Sequence, residues 1–468
     1  MIYVLTSIIG VYYLLNSLLL HYSFNSNAWD LGIFTQILFN FSQGRFWQYS
    51  FRPYSYLADH FSPLLLILSP LGLLKSAWPL LVAQALGLSL GVFVIYFLSN
   101  KIIHNSRLSF LVAASFALNP FSLQIINFDF HPDAFFPVFF FAALYFLLAE
   151  REWLSSFFLL LLMLTREDSF LLILLFCFLS LFFFKQRKLA FGWFIISLSY
   201  FCLVNFWLMP LIRGPFSGPI TEHYAYLGGD LPTIFRTVVS HPFLIVSKTF
   251  GLQERTTVLR FLSSTGFLSL FEPLIILVSW PIFASHLLSQ FSFRITLSGH
   301  YASQMLIPLY LSLILALKRL ISRGGEYQLT LRGRRLGSKD LVAGYLLLIT
   351  ITNFILFSPL PPSFMAEANR FHLSLSRLNA FSKIKDLIPE KAGVSAQSNL
   401  VPHLASRQQV YEFPRLEKDS YLVLDDWGSV SGQSRQAGYD KTKREIEDLG
   451  YRTLFRSEGF WLYRKLTN

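Results

Sequence analysis

Four short clusters of acids, histidines and arginines interrupt a chain that is otherwise strongly apolar. The first holds Asp30, in Trp29-Asp30-Leu31, followed by Asp59-His60. Carboxylates near lipid are rare, and an ionised one can take a proton from a hydroxyl. Asp30 also stands where an amphipathic helix would begin, so N-capping is its plain alternative, and the two roles are compatible. The second cluster is Asn127-Phe128-Asp129-Phe130-His131-Pro132-Asp133. Asp129, His131 and Asp133 could hold a divalent cation, while Asp133, heading an apolar run, is expected to cap it and favour the helix dipole. In the third, Thr165-Arg166-Glu167-Asp168, the Thr-x-x-Asp spacing is a capping-box pattern. It leaves Arg166 and Glu167 unexplained. A planar guanidinium suits either a phosphate ligand or a structural carboxylate partner. The fourth is Ser298-Gly299-His300-Tyr301, with Arg294 close by. A single histidine at a helix start is ordinarily structural; sharing a face with the other clusters makes His300 a candidate. His223, Tyr224 and Tyr226 read as interface anchors.

The elements that must position these clusters are set by composition. The 468 residues are 53% hydrophobic and 17% aromatic, and only 14% are charged, where a soluble domain carries about a quarter. Mean hydropathy is +0.49. Most of the chain therefore belongs in lipid. The net charge of +12 does not call for nucleic acid, because the bases cluster in short loops between apolar runs. Cys177 and Cys202 each lie inside an apolar run and read as core residues, not a disulfide or metal pair. The opening MIYVLTSIIGVYYLLNSLLLHY has no basic n-region and no small-residue cleavage site, and reads as a retained signal anchor.

A spanning helix needs roughly 20 apolar residues. Runs at 2–20, 78–98, 107–125, 134–149, 153–165, 168–184, 189–209, 255–270, 273–290, 302–320 and 341–357 give about eleven transmembrane helices. The run 62–74, with Pro63 and Pro70, is too short to cross and is expected to double back. Between spans, Lys101, Arg107, Arg151, Lys185, Arg187, Lys188 and the bases of 318–339 fall on one side. The positive-inside rule makes that side cytoplasmic, together with the N-terminus. Outer-face loops are then 21–77 and 210–254. In the first of these, Phe34, Ile37, Leu38 and Phe41 recur at helical spacing, the pattern of a helix lying along a bilayer surface.

Residues 359–468 differ in composition and form a small soluble α/β domain outside the cytoplasm, beside a membrane domain of residues 1–358. FHLSLSRLNAFSKIKDLI reads as a helix; VSAQ, VYEF, YLVLD, YRTLF and FWLYR read as short strands, with KTKREIEDL as a second helix.

Taken together, WDLGIFTQ, ADHFSPLLL, NFDFHPDAF, TREDSF, SGHYASQ and VSAQSNLVPHLASRQQVYEFP resemble a bacterial polytopic membrane-protein family named as a domain of unknown function (number twenty seventy-nine). Its layout is similar to GT-C type glycosyltransferases. The resemblance implies an all-α polytopic fold with a small extracytoplasmic α/β domain, in the inner (plasma) membrane. It implies a polyprenyl-phosphate sugar as donor, an acceptor at the outer membrane face, and membrane lipid as surroundings. No cofactor is firmly implied, though a divalent cation could take part. By position, Asp30 matches the catalytic acid of the first outer loop. His60-Phe61-Ser62-Pro63-Leu64 matches the start of the half-helix, and Asp133 the later acid. Asp59, His60, Asp129, His131, Asp133, Arg166, Glu167, Asp168, Arg294, His300 and Tyr301 would bind substrate. One departure stands out: many such enzymes carry two adjacent acids in the first loop, and here there is only Asp30. The rival from another class is a transporter or flippase, with the same acids and histidines relaying protons; a scaffold using the tail to bind a partner is a third.

Overall fold

Apolar runs in lipid must satisfy their backbone groups internally, and the runs of this chain do so as helices. The structure, a computed structural model, describes residues 1–216, 218–323, 328–331, 334–416, 421–428, 445–446 and 448–465. Among them, Ile2–Tyr22, Trp78–Ile103, Arg187–Arg213, Ser292–Ser322 and Ser338–Phe357 are helical stretches long and apolar enough to cross a membrane. The pair Ser106–Leu118 and Pro120–Ile126, bent by 48°, meets the same measure only when taken as one broken span, and a re-entrant loop is its alternative. The bend has a local cause. Pro120 cannot donate to the preceding turn, and the Asn119 side chain accepts from Phe121 N at 2.9 Å to start a new helix.

The remaining expected spans are shorter or interrupted. Pro132–Leu148, Glu152–Met163 and Phe170–Phe182 are short apolar helices. The region 255–290 is broken into Leu252–Ser263, a 3-10 turn at Leu268–Phe271, Pro273–Val278 and Trp280–Leu287. Prolines at 273 and 281 open the last two. Helices are tied by polar groups within the apolar core: Tyr13 donates to Ala117 O at 2.6 Å, and Asn119 to the Tyr310 hydroxyl at 3.1 Å. Cys177 is buried, whereas Cys202 is exposed on its helix rather than in a core; the two are free thiols.

The amphipathic helix of the first loop runs from Ile33 to Ser42, but it is not laid on lipid. Phe34, Ile37, Leu38 and Phe41 are buried against Tyr56, Leu65, Leu80 and Phe130. The doubling-back run 62–74 forms a short helix, Leu64–Ile67, and a 3-10 segment, Ser69–Leu74, packed on this helix. Contact there is backbone to backbone: a Cβ at Gly72 would stand 1.9 Å from the Leu38 carbonyl oxygen.

A hairpin of β1 (Gln328–Leu331) and β2 (Arg334–Gly337) joins the last two long helices. The tail builds a five-stranded sheet from β3 (Val394–Ala396), β4 (Val410–Glu412), β5 (Tyr421–Asp425), β6 (Tyr451–Ser457) and β7 (Phe460–Lys465). Its order is β4-β3-β5-β7-β6, parallel from β4 to β5 and antiparallel beyond. Leu375–Leu387 is a helix packed on it, where Arg377 pairs with the buried Asp425 at 2.7 Å. The expected helix over KTKREIEDL lies largely outside the described residues.

The sheet is fastened to the first loop. Val410 N, on edge strand β4, donates to Ser50 Oγ at 3.1 Å, and Gln36 donates to Gln408 O at 2.9 Å. Trp29 Nε1 reaches Glu412 at 2.5 Å, and Phe24 and Ala28 enter the tail's own core. The edge strand is thus covered. Replacing Gly72 with Ala should force the half-helix off Ile33–Ser42, an overpacking cost of about 1–3 kcal/mol. Thermal unfolding of the purified protein in detergent checks this, and the midpoint should fall.

Candidate active site

At one end of the helix bundle the first loop, the 127–136 turn, residues 289–304 and the tail surround a cavity of about 720 Å³. Asp30, Asp59, His60, His131, His300 and Tyr301 line it. Asp129, Asp133, Arg166, Glu167, Asp168 and Arg294 stand behind the wall rather than on it, and all but Asp168 are buried.

Asp30 sits in a π-helical turn, Ala28–Gly32, that leads into Ile33–Ser42. Gly32 takes the N-cap position, and Asp30 makes no capping bond. Its carboxylate has no hydrogen-bond or ion-pair partner among the described residues, and its accessible surface is cavity wall. Being walled off from bulk solvent pushes the carboxyl up to about 8, helped by the Asp129 charge and opposed by His60. Burial likewise lifts Asp129 to about 7, although Asn27 N–H at 2.6 Å and Ser26 work the other way.

The wall behind is an ionic layer. Arg166, 4% exposed, binds Asp133 through one nitrogen and Asp168 through two, Nε reaching Asp168 Oδ1 at 2.7 Å. Gln304 adds a bond to Asp168 at 3.1 Å. Of the two expectations for Arg166, phosphate contact and structural pair, the pair is what forms. Neither capping expectation holds: Asp133 serves Arg166 while His131 Nδ1 accepts from Asp133 N at 3.3 Å, and Thr165 bonds back to Leu161 O. Glu167 accepts from Phe61 N at 2.9 Å and meets His60 Nδ1 at 3.0 Å. Burial alone would lower the His60 imidazole, but Glu167 prevails and its pKa is raised. Arg294 lies over the rings of Tyr224 and Tyr301, at 5.6 and 5.7 Å.

His131 and His300 stack with centroids 3.7 Å apart and planes within 5°. Gln84, fully buried on the Trp78–Ile103 helix, accepts from His131 N at 3.0 Å and so holds the backbone that carries one ring. Gly299 fixes the other: at φ +61 its open side meets the Phe128 ring, 2.8 Å from where a Cβ would stand. His300 Nδ1 is buried without a partner. One ligand atom each from Asp30, His131 and His300 lie within 4.8 Å of one another. This N, N, O donor set, open toward the cavity, could hold a divalent cation, though the stacked rings would have to tilt to aim both nitrogens at it.

Several cavity residues were not singled out in sequence. Arg52 pairs with Glu222 at 3.2 Å across the mouth, and Ser398 comes from the tail. An arginine on the base-poor side of the topology was a usable signal for Arg52; nothing in the sequence pointed to Gln84 or Ser398.

A family model described as "Predicted membrane protein (DUF2079)" matches residues 20–458. No curated protein matches the chain. Among solved structures, the crystal structure of ArnT from Cupriavidus metallidurans bound to undecaprenyl phosphate superposes with TM-score 0.51 at 12% identity, covering 99% of this chain and 98% of that one. The apo form of the same protein gives 0.50 at 13%, covering 99% and 97%. At these identities the likeness is one of fold.

Removing the cation of the ionic layer should be costly. Arg166→Leu leaves two acids behind the wall uncompensated, a loss of about 3–5 kcal/mol. Adding Asp133→Asn should recover part of it. Unfolding midpoints of the parent and both variants in detergent check the ordering.

Proposed function

Because the chain belongs to the DUF2079 family of predicted membrane proteins and shares the ArnT fold, we propose that it is a membrane glycosyltransferase of GT-C type. Its donor would be a sugar carried on polyprenyl phosphate, and its acceptor would enter at the outer face of the cell's inner membrane. One observation carries the proposal: Asp30 is an unpaired carboxylate facing a cavity of about 720 Å³ rich in imidazoles.

In the proposed reaction an acceptor hydroxyl gives its proton to Asp30 as its oxygen attacks the anomeric carbon. The bond from that carbon to the phosphate oxygen breaks, and the lipid phosphate leaves with the electron pair. Charge developing on that oxygen needs donors. His300 Nδ1 has no partner among the described residues, Arg52 stands at the mouth, and His60 is biased toward its cation by Glu167. Arg166, saturated by acids, acts one layer back by holding the wall in place. A cation on Asp30, His131 and His300 would engage the same carboxylate as the base, so divalent-ion dependence of the rate separates the two roles. The acids gather at one end of the bundle rather than at its midplane, which favours transfer over proton relay.

A base must be unprotonated to act. With its carboxyl near 8, the ionised fraction of Asp30 rises through that pH, so the rate should climb with pH and level off above about 8. Asp30→Asn should reduce transfer by roughly 10²–10⁴-fold and remove that limb, with insertion intact. Transfer from a polyprenyl-phosphate sugar, followed against pH for both proteins, checks it; parental rates in the variant would remove Asp30 from the chemistry. Topology is tested separately. Reporter fusions after 335 and 460 should report opposite compartments, the latter outside the cytoplasm.

A further inference from the structure

The 127–131 turn has two sides. Phe128 and His131 line the main cavity, whereas Asn127 lines a second opening of about 240 Å³ together with Gln124, Arg260, Glu367 and Arg370. A crevice of about 50 Å³ continues from it between apolar helices. It shares Gln124, Arg260 and Phe357 with the opening and adds Pro120, Phe121, Ser263, Ser264 and Asn353. Phe357 ends the last long apolar helix and Ile126 ends the bent pair, so the opening sits where the bundle stops.

Its charges are unbalanced. The Arg260 side chain has no hydrogen bond or ion pair among the described residues. Arg370 has a loose contact with Glu367, 3.9 Å away and 75% exposed, and also feels the buried Asp129 carboxylate, while its backbone carbonyl is pinned by Asn25 at 3.0 Å. Asn127 Oδ1 is buried without a partner, so its amide is free to turn a donor inward. The Arg260 guanidinium, with no carboxylate partner among the described residues, shares the opening with Arg370 and the Gln124 and Asn127 amides, and together they make a receptor for a tetrahedral oxyanion. The crevice that continues from it, at about 50 Å³, has room for no more than the first atoms of a group attached to that anion.

We propose that Arg260 and Arg370 form a second phosphate-binding site, separate from the main cavity, for the phosphate of an anionic lipid or for free phosphate. The main cavity does not share these side chains, so the site stands or falls independently of sugar transfer. Native mass spectrometry of the full chain, titrated in detergent with phosphatidylglycerol and in parallel with inorganic phosphate, reads it. Arg260→Gln and Arg370→Gln should each weaken binding by about tenfold or more, as loss of a charge-assisted hydrogen bond implies. Arg260→Lys should keep most of it, and His300→Ala, on the main cavity, should leave the Arg260-dependent part unchanged. Phosphatidylglycerol binding that inorganic phosphate fails to displace assigns the site to lipid. Equal displacement assigns it to the free anion. Equal affinities in the parent and both folded glutamine variants, for both probes, overturn the proposal.

Discussion

Arg166, held between Asp133 and Asp168 at one end of a bundle otherwise made of apolar side chains, is the contact on which the site depends. A charge there is tolerable only if it is paired and its hydrogen bonds are filled, and the guanidinium fork fills them with two carboxylates at once. The three residues come from the starts of two apolar helices and the turn between a third and one of these. Their pairing therefore fixes how those helices meet. Glu167, next along the same turn, reaches across to His60 and Phe61 N and ties in the first loop.

What this layer achieves is selective neutralisation. Asp133 and Asp168 are claimed by Arg166, Glu167 by His60, and Asp129 by the Asn27 backbone. Asp30 is claimed by nothing, and it is presented by a π-helical turn whose far side is clamped to the tail through Trp29 and Ala28. A carboxylate left unpaired in a walled cavity is destabilised as an anion, which raises its proton affinity toward that of a useful base. The tail is thus part of the site's wall: Ser398 lines the cavity and strand β4 lies along the first loop.

Much of this was legible in residue order. Five strands stand where short β-branched and aromatic runs were read as strands, and β3 and β5 are buried on both faces along their length. The helix carrying Phe34, Ile37, Leu38 and Phe41 was equally visible, yet periodicity reports only that one face is apolar. Whether lipid or protein covers that face is a tertiary fact, and here Tyr56, Leu65 and Leu80 do. Capping patterns misled for a related reason. At Asp133 the local capping signal was overridden by the Arg166 guanidinium, which arrives from a different turn, and at Asp168 by the same guanidinium two residues away. Short helices such as Glu152–Met163 fall below spanning length while remaining apolar, so hydropathy located the segments without fixing how many cross. Gln84, buried mid-helix, looks like any polar residue in a span until its bond to His131 N is seen.

The central claim is that Asp30, alone among these acids, is unpaired among the described residues and holds its proton to about neutral pH or above. Infrared titration of the protonated carboxyl stretch, subtracting the Asp30→Asn variant from the parent, measures this directly. The account predicts an Asp30-dependent carboxyl band that disappears with a midpoint near 8. A band that titrates instead near the ordinary carboxylate range of about 4 would contradict it.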